Sequence, residues 1–272
     1  MECVKFLRQK LLIKPGSRVK LSSIDPGDTH GVQKSDAVAR LNVNRERLSV
    51  LQALLYAEGK RSVLVVLQGI DTAGKDGTIR VVMSGLNPQG VSVTSFKAPE
   101  GAEKRHDYLW RIHNAVPEYG KIGIFNRSHY EDVLVVRVHN LVPKSVWSKR
   151  YQHINHFESQ LSDSDITIVK FMLYISKEEQ AERLNERLED PTKNWKFSEG
   201  DIKEREFWDD YIKAYDAVLQ RCSHAHAPWF VIPSNHKWFR NLAVSEILRQ
   251  TLEDMALKYP RPIADLSRIR FE

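Results

Sequence analysis

Residues 63–80, VLVVLQGIDTAGKDGTIR, constrain this chain more than any other stretch. A continuous apolar run gives way to Gly69, and Gly74 and Lys75 follow it five and six residues later. An apolar run without alternation suits a strand buried on both faces. Gly69 and Gly74 permit backbone conformations that a side chain would hinder. The loop amides and the free N–H groups of a following helix can then point at a phosphate. Ala73 and Gly77 join the two glycines as candidate phosphate-cradling positions, and Lys75 adds a mobile positive charge. Asp71 is unusual beside an anion. Its repulsion disappears if it holds Mg²⁺ or takes a proton from an attacking oxygen. Four residues, Ile70 to Ala73, separate Gly69 from the Gly-Lys pair, the spacing of the common phosphate-binding loop. Asp76 stands where that loop carries Ser or Thr, so a magnesium contact must come from elsewhere, with Asp71 the candidate. The bland alternative is a tight surface turn with a solvated lysine.

The pattern around this loop repeats. Candidate strands are 91–96, 121–125, 166–173 and 228–233. Helical spacing marks 45–58, closed by Gly59, and then 102–114, 144–160, 177–190, 202–221 and 237–257. Residues 1–40 carry Pro-Gly twice and read as arm and loop. Strands alternating with helices of this length predict an α/β fold with a central parallel sheet and helices on both sides.

Two further stretches suit anion handling. Asn126, Arg127, Ser128 and His129 follow the strand at 121–125, where ligands of such sheets bind. The planar fork of Arg127 can grip two phosphate oxygens, and Arg137 lies ten residues on. Either arginine is otherwise an ordinary ion-pair partner. Segment 191–208 is polar and broken by Gly200, yet holds Trp195, Phe197, Phe207 and Trp208. Such a segment can close over phosphates and exclude water, with Lys193, Lys196 and Lys203 as charge donors and Arg183 in the helix before it. The ten histidines show no zinc spacing. With 41 Lys+Arg against 35 Asp+Glu, the +6 balance favours an anionic partner and leaves open nucleotide, nucleic acid, polyphosphate or a membrane surface. Two cysteines, Cys3 and Cys222, exclude a disulfide scaffold and fit a reducing compartment. No window reaches the roughly 18 apolar residues of a membrane span, and the N-terminus lacks a secretion-signal pattern. A cytoplasmic location is the expectation.

Taken together, GIDTAGKDGTI, SFKAPE (95–100), HDYLWRIH (106–113), GKIGIFNRSHYEDVLVVRVH (120–139) and WKFSEGDIKER (195–205) resemble the polyphosphate kinase 2 family. The resemblance implies a three-layer P-loop kinase-like fold, similar to thymidylate kinases. It divides the chain into an N-terminal arm and helix (1–58) and a core (59–272) that includes a helical lid at 190–208. It implies transfer of phosphoryl groups between inorganic polyphosphate and nucleotides with Mg²⁺, or Mn²⁺ in its place, by a homo-oligomer, dimer or tetramer. Under it Asp71 and Lys75 match the Walker A aspartate and lysine, and Asn126-Arg127 occupies the Walker B pair. Arg183 resembles a polyphosphate-contacting arginine, and Phe96 and Lys97 belong beside the nucleotide. Many members have Asp-Arg where this chain has Asn126-Arg127, which puts the usual second metal ligand in doubt and leaves Asp71, Asn126 and Glu131 as metal candidates. Asn at this place resembles the class III branch, whose members phosphorylate both AMP and ADP to give ADP and ATP. An ATP-dependent nucleotide or nucleoside kinase and a non-catalytic nucleic-acid-binding protein are the rival readings.

Overall fold

The computed structural model of the chain describes residues 6–196 and 198–262. In chain order its elements begin with α1 (Phe6–Leu11), β1 (Leu12–Ile13), α2 (Lys34–Glu58), β2 (Ser62–Gln68) and α3 (Lys75–Val82). Next come β3 (Val91–Ser95), α4 (Trp110–His113), β4 (Ile122–Asn126), α5 (Val135–Val138) and α6 (Lys144–Asp163). The chain continues through β5 (Ile166–Tyr174), α7 (Lys177–Glu189), α8 (Glu199–Glu204), α9 (Trp208–Cys222), β6 (Trp229–Pro233) and α10 (Lys237–Asp254).

The six strands form one sheet in the order β1-β6-β5-β2-β4-β3. Central β2 pairs in parallel with β4, Val63 opposite Ile122, and with β5, Ser62 opposite Ile166. Only β1 runs antiparallel, at the β6 edge. Every residue of β2 is buried, as its unbroken apolar run requires of a strand covered on both faces. Val63, Val65 and Leu67 enter one apolar cluster with Phe239, Val244 and Leu248 of α10 and Leu48, Leu51 and Leu55 of α2. Leu64 and Val66 enter the other, with Ile154 and Phe157 of α6 and Val218 and Leu219 of α9. The α/β architecture with a central parallel sheet is therefore as the sequence predicts.

Local chemistry fixes the element ends. Gly59 closes α2 in the left-handed region, at φ 64°, and returns its N–H to the Leu55 carbonyl. Ser176 caps α7 by accepting the Glu179 N–H at 3.1 Å. Four features differ from expectation, the first being that the predicted helix 202–221 is divided into α8, a 3-10 turn at Arg205–Phe207 and α9. Helix α2 begins at Lys34, eleven residues before the predicted 45, because its first half lacks a marked apolar stripe. The arm contributes Leu7 and Leu11 to the same core as the sheet. The predicted helix 102–114 is a 3-10 turn, Gly101–Arg105, followed by the single turn α4. There the Asp107 carboxylate accepts the Leu109 N–H at 2.9 Å, a local bond that competes with continuous helix.

Beneath the sheet lies a buried ionic cluster. Glu158 of α6 accepts hydrogen bonds from Lys170 of β5 and from the Tyr130 hydroxyl, at 2.8 Å for the latter. His129 Nε2 lies 3.2 Å from the same carboxylate. This cluster anchors the turn that follows β4. Among the described residues no helix is long and apolar enough to cross a membrane. Cys222 is buried, and Cys3 lies outside the described residues.

Candidate active site

The parallel strands β2 and β4 end at the same edge of the sheet, so Gly69 and Asn126-Arg127 emerge side by side. Gly69 is required by space. A Cβ there would stand 2.7 Å from the Leu173 carbonyl oxygen and 2.9 Å from Ala73 Cβ. Gly74 is required by conformation: its φ is 99°, and a Cβ would in addition press on the Arg240 guanidinium, which would have to shift. The loop then turns into α3 with Gly74 at its N-cap.

Lys75 folds back across this loop and donates from Nζ to the Gly69 carbonyl at 2.7 Å. Only 8% of it is exposed. Burial, helped by the nearby Arg127 charge, lowers its pKa to about 8 against the pull of Asp71 and Glu131. Arg127 holds a positive φ of 62°, an uncommon conformation for a side chain of this size and one found at functional sites. Its guanidinium donates to Asp71 Oδ1 at 2.6 Å and lies 3.7 Å from Glu131. Burial works against its charge, but Glu131 and Asp71 hold its pKa above the usual arginine value. Burial raises the Glu131 pKa despite Arg127 and Lys75. Asn126 donates from Nδ2 to Asp76 Oδ1 at 2.8 Å. An aspartate at 126 would set two carboxylates against each other there, so the amide lets the loop and β4 approach.

Two arginines shape the loop from behind. Arg183 is 6% exposed and donates to the carbonyls of Thr72, Ala73, Ser234 and Asn235, while its Nε bonds Glu179. Its N–H groups are therefore committed to the scaffold. Arg240 donates to the Ala73 carbonyl at 3.2 Å and to Asn241. Burial and the neighbouring Arg183 lower its pKa to about 10. Gln180 Nε2 adds a bond to the Asp71 carbonyl at 3.1 Å. Sequence reading singled out Arg183 as a polyphosphate contact, whereas its N–H groups here bond the loop and strand-end carbonyls, and it missed Arg240 and Gln180. Both act over long chain separations, and no local spacing announces them.

A cleft of about 1310 Å³ opens beside Asp71, Arg127 and Glu131. Asp201 and Glu204 of α8 line it, as do Lys97, Lys104, Lys149 and Arg150. Phe96 lines it too but is 6% exposed. Its ring packs edge-on against Phe125, with centroids 4.9 Å apart, and the Arg111 guanidinium sits 5.5 Å above it. Tyr108, in contrast, reaches the cleft with a buried hydroxyl that has no hydrogen-bond partner among the described residues. Arg150 covers the Tyr108 ring at 4.6 Å and pairs with Asp132 at 2.7 Å. Burial pushes the Asp132 carboxyl up to about 6. Arg137 lies apart from this lining. It donates to the Tyr151 hydroxyl at 3.0 Å and stacks 5.1 Å over Trp147.

Segment 190–208 folds as short helical pieces between α7 and α9. Arg187 of α7 pairs with Asp201 of α8 at 3.0 Å, drawing α8 toward the cleft. Lys193 pairs with Asp190 at 2.8 Å, and Lys203 is exposed. The Lys196 side chain and Phe197 lie outside the described residues.

Asp71, Glu131 and Asn126 supply hard oxygen donors at one strand edge. Among the described residues, no three Asp, Glu, His or Cys side chains form a metal cage. That donor set fits Mg²⁺, which takes one or two carboxylates and completes its shell with water and substrate phosphates. The Arg127 guanidinium already sits between two of these carboxylates as a cation.

Comparison with known proteins identifies the family and the fold. Residues 31–260 match the family model described as polyphosphate kinase 2. An AMP/ADP-polyphosphate phosphotransferase of Meiothermus ruber is 53% identical over 266 residues, 97% of this chain and 100% of its own. An ADP-polyphosphate phosphotransferase of Rhodopseudomonas palustris is 47% identical over 232 residues, 81% of this chain and 80% of its own. The crystal structure of polyphosphate kinase 2 from Arthrobacter aurescens superposes with a TM-score of 0.92 at 44% identity, covering 96% of this chain and 94% of that one. Fold, glycine-rich loop and sequence thus converge, and the chain belongs to the polyphosphate kinase 2 family.

Proposed function

We propose that this protein transfers the terminal phosphoryl group of inorganic polyphosphate to AMP, giving ADP, and to ADP, giving ATP, reversibly and with Mg²⁺. The observation that carries the chemistry is the meeting of loop 69–75 with the Asp71–Arg127 pair at the mouth of the cleft. The relatives' names supply the donor and the two acceptors. The same reading makes the loop a P-loop, segment 190–208 a lid and the protein a cytoplasmic homo-oligomer. It acts on small anionic substrates rather than on nucleic acid or a membrane.

In the reaction an acceptor phosphate oxygen bonds to the terminal phosphorus as the anhydride P–O bond behind it breaks, and the shortened polymer leaves with the bonding electrons. The anhydride is already activated, so the protein supplies position and charge. The loop amides and Lys75 hold the transferred group, with Lys75 exchanging the Gly69 carbonyl for a phosphate oxygen. Arg127 neutralises charge on the equatorial oxygens. Asp71, Asn126 and Glu131 would hold the metal, which when bound screens repulsion between the two polyanions. The lysines and Arg150 along the cleft receive the remaining phosphates. Arg183 and Arg240 keep the loop open for an anion from behind.

The test is a product assay with polyphosphate as sole donor, run separately with AMP and with ADP. ADP and then ATP are expected from AMP, and ATP from ADP. Phosphorylation that requires ATP and ignores polyphosphate would overturn the reading.

A further inference from the structure

Helix α10 sends one arginine under the glycine-rich loop. Arg240, in its first turn, is 3% exposed. Its guanidinium lies against Gly74, and Nη2 is 3.4 Å from where a Cβ at Gly77 would stand. It therefore sits at the opening of α3, where the unpaired N–H groups of that helix begin. Its Nη1 donates to the Ala73 carbonyl at 3.2 Å, and Arg183 Nη1 donates to the same oxygen. Two guanidinium groups thus share one acceptor. Nε and Nη2 of Arg240 bond the Asn241 amide oxygen at 3.1 and 3.0 Å.

The other cations near the loop are matched. Lys75 and Arg127 face Asp71 and Glu131, and Arg183 pairs with Glu179 at 2.7 Å. Arg240 bonds only neutral oxygens among the described residues. Burial and Arg183 both work against its charge, and no carboxylate works for it. A buried charge without a counter-charge is costly, and such exceptions gather where function needs them. The cost is offset when an anion occupies the loop, because the dry surroundings of the guanidinium strengthen attraction across the backbone.

We infer that Arg240 is a positioning residue of the transfer reaction, a buried cation whose counter-charge is the phosphoryl group held on loop 69–75. It touches the loop rather than the substrate, so it acts through the peptide frame and through its field. That role rests on loop 69–75 being the phosphate cradle.

Calorimetric titration of the full chain with tripolyphosphate and Mg²⁺, without nucleotide, tests it alongside thermal unfolding. Asn241→Asp places a carboxylate where the amide oxygen already accepts two Arg240 N–H bonds. It should raise the melting temperature of the ligand-free protein and weaken tripolyphosphate binding by about tenfold or more. A merely structural role would not link those two effects. Raising the salt concentration should leave the ratio of native to Asn241→Asp affinity unchanged, because a buried charge is poorly screened. In turnover the KM for polyphosphate should rise in this variant while the KM for AMP holds. Arg240→Gln should weaken binding to a similar degree, and Arg240→Lys, which keeps the charge, should bind more tightly than Arg240→Gln. If Asn241→Asp fails to fold, the Arg240→Gln and Arg240→Lys pair is judged by the same titration. Native affinity for tripolyphosphate in Asn241→Asp and Arg240→Gln, whatever their stability, overturns the role of Arg240 alone. A native chain that does not bind tripolyphosphate overturns the cradle itself, and this role with it.

Discussion

Lys75 is the residue on which the charge balance of the site turns. Its ammonium is buried against the Gly69 carbonyl, and its pKa is brought down to about 8 by that burial. The cation is therefore complete well below pH 8 and is lost as pH rises through that value. Transfer that depends on it should decline on the alkaline side, and Lys75→Arg should remove that decline, because arginine stays protonated. Lys75→Ala should lower the transfer rate by about 10²–10³, the usual loss for a charge-stabilising group, with the melting temperature nearly unchanged. Near-native turnover in Lys75→Ala would remove the lysine from the chemistry. Lys75, Asp71 and Arg127 were legible in the sequence because glycines and a preceding strand frame them within a few residues. Arg240 was not: its reach to the Ala73 carbonyl crosses 167 chain positions. Phe96 was legible only as an aromatic of the cleft region, since sequence cannot say that Phe125 and Arg111 occupy its surroundings.

At the scale of elements, apolar runs announced β2, β4, β5 and β6, because parallel strands buried on both faces carry no competing pattern, while the half-exposed edge strand β3 was legible from its β-branched residues. The two-residue β1 gave no such signal and exists through its pairing with β6. Helix α4 and the turn before it were misread as one helix because Asp107 offers the backbone a local alternative. The segment between α7 and α9 is held by several contacts, among them His139–Glu204, Tyr211–Glu204, Arg205–Gln180 and the partly buried pair Arg187–Asp201. Such a pair falls between the exposed and buried extremes, about 1 kcal/mol. Asp201→Ala should therefore raise local opening by about fivefold. Limited proteolysis within 190–205 would then quicken, and polyphosphate hydrolysis without a nucleotide acceptor would rise. Cleavage and hydrolysis at native rates would show that the pair does not hold this segment over the cleft.

Over the whole molecule, one buried ionic cluster couples the sheet to the site. Lys170 of β5, Glu158 of α6 and Tyr130 meet three residues beyond Arg127, all fully buried. Removing one partner strands the other charge, so Lys170→Met should cost about 3–5 kcal/mol of stability. Replacing both, as Lys170→Met with Glu158→Gln, should recover part of it. Denaturant unfolding that finds the single variant as stable as the native chain would mean that the cluster anchors nothing. The account as a whole rests on loop 69–75 as the phosphate cradle, with Asp71 and Arg127 at its rim. Its most direct test is a crystal structure with Mg²⁺ and a short polyphosphate bound. The expected result is a terminal phosphate on the loop amides, with Lys75 moved from the Gly69 carbonyl to a phosphate oxygen and the metal beside Asp71. An empty loop, with the polyphosphate and metal bound elsewhere, would contradict it.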